Sequence, residues 1–279
     1  KSSAASDVYK RQHYPGPKFG RQGIRKLCGI EKGPILMSAL KPLGRSAKDF
    51  GETAYKLALG GCPLIKDDHS LFNQSYAPFK DRVKACVDSV NNANAKTGGR
   101  SLYIANCTAD SMEFLERAVT AQELGAGGIM AAPGLLGLSI IRELSSAPDF
   151  HLPIFLHPCF SGPLVLSADS GISPFCCYGQ FSRLAGADAA IFTSFGGRFP
   201  FTEEVCRKIC DGTETEMGGL RSIFPVPSGG MKWQLFKKMV QVYGPDAIFL
   251  VGGALLTESD DLTANMHFYF EKLNEAVNK

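Results

Sequence analysis

No stretch of this chain approaches the roughly 18 consecutive apolar residues of a membrane helix, so a spanning segment is not expected. Charge of one sign is scarce: the net charge is only +3, and no basic run stands out, which argues against a nucleic-acid partner. Paired C-x-x-C spacing is missing too. The nine cysteines are an odd, scattered set in which Cys176 adjoins Cys177 and Cys210 lies one helical turn after Cys206. That pattern fits neither a zinc site nor a disulfide framework, and it is read as reduced, mostly buried thiols of a cytoplasmic protein. The first residues carry no apolar core of a signal peptide. Residues 1–14 are read as a disordered or artefactual tail, and 15–279 as one catalytic domain.

What is present is an alternation of short apolar runs with longer amphipathic ones. The runs begin at Ile35, Pro63, Ser101, Gly128, Leu152, Ala189, Ile223 and Ala247. Each precedes a helical pattern; the first of these has Ser46 as its N-cap and Gly60-Gly61 as its stop. Strand–helix alternation demands parallel strands with crossover helices, and the continuously apolar strands require burial on both faces. Eight such units predict a closed (β/α)8 TIM barrel, with an open doubly wound sheet as the structural alternative.

In that architecture chemistry gathers where strands end. The strand ends read Lys41-Pro42, Lys66-Asp67-Asp68-His69, Asn106, His157, Gly196-Gly197-Arg198, Ser228-Gly229-Gly230 and Gly252-Gly253. Lys66 and Asp68 share one face of an extended strand. They fit either a site for a hard cation such as Mg2+ or a buried Lys–Asp pair. The paired glycines after strands seven and eight offer bare backbone N–H groups where barrels commonly bind phosphate, or simply two tight turns. Arg198 fits an anion clamp or a solvated side chain. His157 suits catalysis or a hydrogen-bonded core position. Asn106 could orient substrate or bond backbone, and His69 could be a ligand or a neighbour of ligands.

The ordered set Lys41-Pro42-x-Gly, Gly60-Gly61-x-x-x-Ile65-Lys66-Asp67-Asp68, Asn106-x-Thr108, Ser228-Gly229-Gly230 and Gly252-Gly253 resembles the large-subunit barrel of ribulose-bisphosphate carboxylase (RuBisCO). The resemblance runs from about Pro15 to the C-terminus. It implies that Lys66 is the lysine carbamylated by CO2, that Asp68 binds Mg2+, and that Lys41 and His157 are catalytic. It implies substrate and phosphate contacts at Asn106, Ser228, Gly229, Gly230, Gly252 and Gly253. It also implies a homodimer or higher homo-oligomer, because relatives carry an N-terminal α/β domain that completes the partner's site. That domain is expected to be missing here, leaving a chain with little activity alone.

Departures from the pattern are as informative. His69 stands where the third metal ligand is a glutamate, Pro158 where an arginine follows the strand-five histidine, and Ile191 where a histidine holds phosphate. Arg198 replaces the mobile-loop lysine that assists carboxylation; it keeps the charge and changes the geometry. The reading is a RuBisCO-like protein that forms an enolate from a phosphorylated keto-sugar, as an enolase, isomerase or decarboxylase. The alternatives are a true carboxylase and a non-catalytic relative.

Overall fold

A computed structural model describes residues 14–167, 169, 171–197 and 200–278. Eight parallel strands follow one another in space: β1 (Ile35–Ala39), β2 (Leu64–Lys66), β3 (Leu102–Asn106), β4 (Gly128–Ala131), β5 (Ile154–Leu156), β6 (Ala189–Thr193), β7 (Phe224–Ser228) and β8 (Ile248–Val251). β1 pairs with both β2 and β8, so the sheet curls back on itself into the expected barrel.

The curl stops one ladder short, and proline explains where. Both backbone groups of a strand residue point to the same neighbour, alternately left and right along the strand. Phe224 N–H donates to Asp188 O, and Ser228 O accepts from Ser194 N–H, so even-numbered residues of β7 face β6. The odd positions, which face β8, are Pro225 and Pro227. Neither has an N–H to donate. β7 and β8 therefore lie side by side with no ladder between them among the described residues.

Side-chain alternation sorts the strands into two apolar layers. Ile35, Met37, Leu64, Ile104, Met130, Phe155, Ile191, Val226 and Ile248 fill the barrel lumen. Leu36, Ile65, Tyr103, Ile129, Phe192 and Phe249 point outward against the helices. The helix Gly20–Cys28, which the apolar pattern did not reveal, closes the lumen from below with Ile24 and Cys28. Its first N–H groups, with that of Ile154, are taken by the buried Asp188 carboxylate at 2.7–2.9 Å.

Most helices stand where periodicity places them. Ser46 caps the helix Ala47–Leu59 through a full capping box with Asp49, and Leu262–Val277 is as expected. Two differ. The helical pattern after β4 is split at Gly137, whose φ of 80° separates Pro133–Leu136 from Leu138–Ser146. The pattern before β6 opens with a wide π-turn, Phe175–Gln180. Tyr14, assigned above to the tail, belongs to the fold: the Arg142 guanidinium stacks over its ring at 5.3 Å.

Candidate active site

Continuing each strand's alternation by one step past the lumen gives the floor of a cavity of about 690 Å³ at the C-terminal mouth. Lys66 lies two residues above Leu64, His157 above Phe155, Thr193 above Ile191 and Ser228 above Val226, and all four line it. Lys41, Asp68 and His69 join them from the loops after β1 and β2, and Gly229, Gly230, Gly252 and Gly253 face them from the β7–β8 side.

Asp67 and Asp68 part company at this level. Asp67 turns outward and is fully buried, accepting from Arg82 Nε (3.2 Å), Tyr103 OH (2.7 Å) and the Asn106 N–H (3.0 Å). Asp68 turns inward, with Lys41 Nζ 3.0 Å from Oδ2 and His69 Nδ1 3.4 Å from Oδ1. Burial raises the Asp68 carboxyl, but the Ser70 N–H, the Lys41 hydrogen bond and the charges of His69 and Lys41 hold it below the usual range. Burial brings the Lys66 ammonium down to about 8, against the pull of Asp68 and Asp67. Its Nζ donates to the backbone carbonyl of Asp67 at 2.8 Å.

The His157 imidazole stacks on that of His69, centroids 4.5 Å apart and planes 8° apart. Burial, reinforced by Lys66, His69 and Lys41, holds His157 well below its ordinary value, so it is neutral. Its Nδ1 accepts the Cys159 N–H at 3.2 Å, which places its own proton on Nε2.

The opposite rim of the cavity depends on glycine. Gly229 and Gly230 have φ of 84° and 79°, a region L-residues with side chains rarely occupy. Gly197 packs so closely on this turn that a Cβ there would lie 2.5 Å from Gly229 O. Ser228 Oγ donates to Phe192 O at 2.9 Å.

Two expectations need revision. Asn106 does not line the cavity. Its Nδ2 donates to His69 O (3.0 Å) and Leu71 O (3.1 Å), and its Oδ1 accepts from Thr108, so its amide is spent on holding the loop that carries His69. Ile191 sits in the lumen, and the strand-six residue at the cavity is Thr193. Arg198 lies outside the described residues. Thr193, Tyr178 and Lys232 line the cavity without having been singled out; for Thr193, continuing the alternation from Ile191 would have found it.

A family model, "Ribulose bisphosphate carboxylase large chain, catalytic domain", matches residues 20–265. The chain belongs to that family. It is 36% identical over 255 residues to a 5-methylthioribulose-1-phosphate isomerase of Rhodospirillum rubrum, covering 90% of this chain and 65% of the relative. It is 36% identical over 251 residues to a 2,3-diketo-5-methylthiopentyl-1-phosphate enolase of Geobacillus thermodenitrificans, covering 90% and 60%. The chain thus spans somewhat less than two thirds of these relatives' length. A RuBisCO-like protein of Alicyclobacillus acidocaldarius superposes with a TM-score of 0.90 at 32% identity, covering 98% of this chain and 68% of that one. These matches place the chain in the RuBisCO-like branch of the family.

The family implies a divalent metal, and the donor set can be tested against it. Among the described residues no group of three or more His, Cys, Asp or Glu side chains is poised around one ion. Asp68 and His69 supply two adjacent donors, and the third must come from the buried Lys66, which supplies oxygens once carbamylated. With that addition the set fits a divalent cation through two oxygen groups and one imidazole.

Proposed function

We propose that the chain carries the catalytic half of a non-carboxylating enzyme that removes a proton beside the carbonyl of a phosphorylated keto-sugar, giving an enolate. The observation that supports this most is the single cavity with Lys41, Lys66, Asp68 and His157 on one side and the Gly229-Gly230 and Gly252-Gly253 backbone on the other. The relatives named above act on methylthio-sugar phosphates, in keeping with that substrate class.

In this reading the glycine N–H groups anchor the phosphate and fix the length of sugar that reaches the floor. The floor presents the Lys41 ammonium, ion-paired with Asp68 at 3.0 Å, while Asp67 is neutralised by Arg82. Such a floor favours charge developing on the carbonyl oxygen. Neutral His157 donates its Nε2–H toward that oxygen, a role for which a depressed pKa is an advantage. The Lys66 side chain or its carbamate is the group placed to take the proton, and Lys41, held by Asp68 at 3.0 Å, the acid placed to return one. Lys66 as its carbamate, Asp68 and His69 would hold the divalent ion, Mg2+ in the family pattern, which when bound polarises the carbonyl. Pairing of the barrel with an N-terminal domain of a second copy is part of the same proposal. Relatives named as dimeric and octameric carboxylases superpose on this chain at 26–27% identity.

The test joins the chain to an N-terminal α/β domain of a relative and measures deuterium wash-in by NMR beside the carbonyl of 5-methylthioribulose 1-phosphate, its 2,3-diketo derivative and ribulose 1,5-bisphosphate, with ¹⁴CO2 counted in parallel. Exchange without ¹⁴C incorporation is expected. Incorporation would make the chain a carboxylase, and absence of both exchange and binding would leave it a non-catalytic relative.

A further inference from the structure

We propose that His69 tunes the floor site to a first-row divalent ion such as Mn2+, Co2+ or Zn2+ in preference to Mg2+. This rests on the reading above, in which Lys66, Asp68 and His69 hold the ion.

The donor count leads there by elimination. Asp67 faces the outer layer and is occupied by Arg82, Tyr103 and the Asn106 N–H. His157 is removed by its tautomer: with Nδ1 accepting from Cys159 N–H, its Nε2 carries a proton and has no lone pair for a metal. His69 is therefore the imidazole donor, 3.4 Å from the Asp68 carboxylate. It is also held in place. Asn106 binds its backbone carbonyl, and the His157 ring backs its own ring face to face. A ligand fixed by its neighbours loses little freedom on binding.

The chemistry of that donor then decides the ion. Mg2+ takes oxygen ligands and sheds water reluctantly, so charge on the ligands largely holds it. Here the ligand charge is low. The Lys66 carbamate and Asp68 supply one negative charge each, Asp68 is shared with Lys41 at 3.0 Å, and the neutral imidazole adds none. Imidazole nitrogen is a good donor to first-row transition ions and Zn2+, and it adds little for Mg2+.

The test uses the full chain in bicarbonate-containing buffer, titrated with Mn2+ and followed by EPR, with Mg2+ as competitor. Displacement of Mn2+ is expected to need at least a hundredfold excess of Mg2+, roughly two steps of ten in affinity. Pulsed EPR of bound Mn2+ should show ¹⁴N coupling from one imidazole. His69→Glu should abolish that coupling and narrow the Mn2+/Mg2+ gap at least about tenfold. His69→Gln, which adds no charge, should lose the coupling and weaken Mn2+ without gaining Mg2+. Circular dichroism confirms that each variant folds. Equal affinities in the wild type, or coupling that survives His69→Glu, would overturn the inference while leaving the metal site standing. Loss of Mn2+ binding in Asp68→Asn supports that site. No saturable binding of either ion by the wild type would remove the site itself and the inference with it.

Discussion

Asp67 and Asp68 are consecutive in the chain yet face opposite sides of the barrel wall, the first gripped by Arg82 at 3.2 Å and the second open to the cavity beside Lys41 at 3.0 Å. A strand turns successive side chains to opposite faces, so one dipeptide serves both layers. The two substitutions should part accordingly. Asp67→Asn leaves the fully buried Arg82 without its counter-charge and should cost about 3–5 kcal/mol of unfolding free energy. Asp68→Asn faces a half-exposed lysine, should cost under about 1 kcal/mol, and should abolish divalent-ion binding. Urea titrations of both variants, with an ion-binding assay, check the pair; equal stability losses would contradict it.

Asn106 is a positioning residue for the loop it bonds. Asn106→Ala takes one partner each from the carbonyls of His69 and Leu71 and from the Thr108 hydroxyl, at about 1–3 kcal/mol. It should lower kcat through a displaced His69 while the KM of the phosphorylated substrate changes less than about threefold. A raised KM with unchanged kcat would instead make Asn106 a substrate contact.

Gly197 packs against the Gly229-Gly230 turn, which the proposed function assigns to the phosphate. The Cβ of Gly197→Ala would collide with Gly229 O, so the turn at Gly229-Gly230 must shift. Affinity for inorganic phosphate should fall by about tenfold or more, as expected when positioned N–H donors move. The melting temperature should change by only a few degrees, on the scale of about 1 kcal/mol. Isothermal titration with phosphate and a thermal melt separate the effects.

Asp188 gives a pH signature at the opposite end of the barrel. Burial lifts its carboxyl from 3.8 to about 6, outweighing the N–H groups of Gly20, Ile154 and Phe19. A raised acid favours the folded state below the unfolded pKa, and that stability is lost as pH rises through the folded one. Two pH units at about 1.4 kcal/mol each amount to roughly 3 kcal/mol, lost between about pH 4 and pH 6. In Asp188→Asn this component disappears. The difference in unfolding free energy between wild type and variant, measured from pH 4 to 7, should therefore slope downward; a flat difference would refute the assignment.

The barrel was legible because its strands are uninterrupted apolar runs and its helices carry clear starts and stops, as at Ser46 and Gly98. The Lys66–Asp68 face was legible for the same reason: alternation is a local rule. What escaped depended on long-range neighbours. The fate of Asn106 is decided by carbonyls about 35 residues away, and no spacing in the chain announces them. The helix Gly20–Cys28 carries few apolar residues, because it plugs an opening rather than lying against a sheet. The prolines of β7 were visible, but their meaning required knowing which way each residue points.

The unlatched seam between β7 and β8 has a thermodynamic consequence. The two glycine pairs sit at the top of its two sides, so an anion held by both would stitch the wall where the backbone does not. Ligand occupancy and closure of the barrel would then be one coupled equilibrium, with each phosphate that binds drawing the cylinder shut.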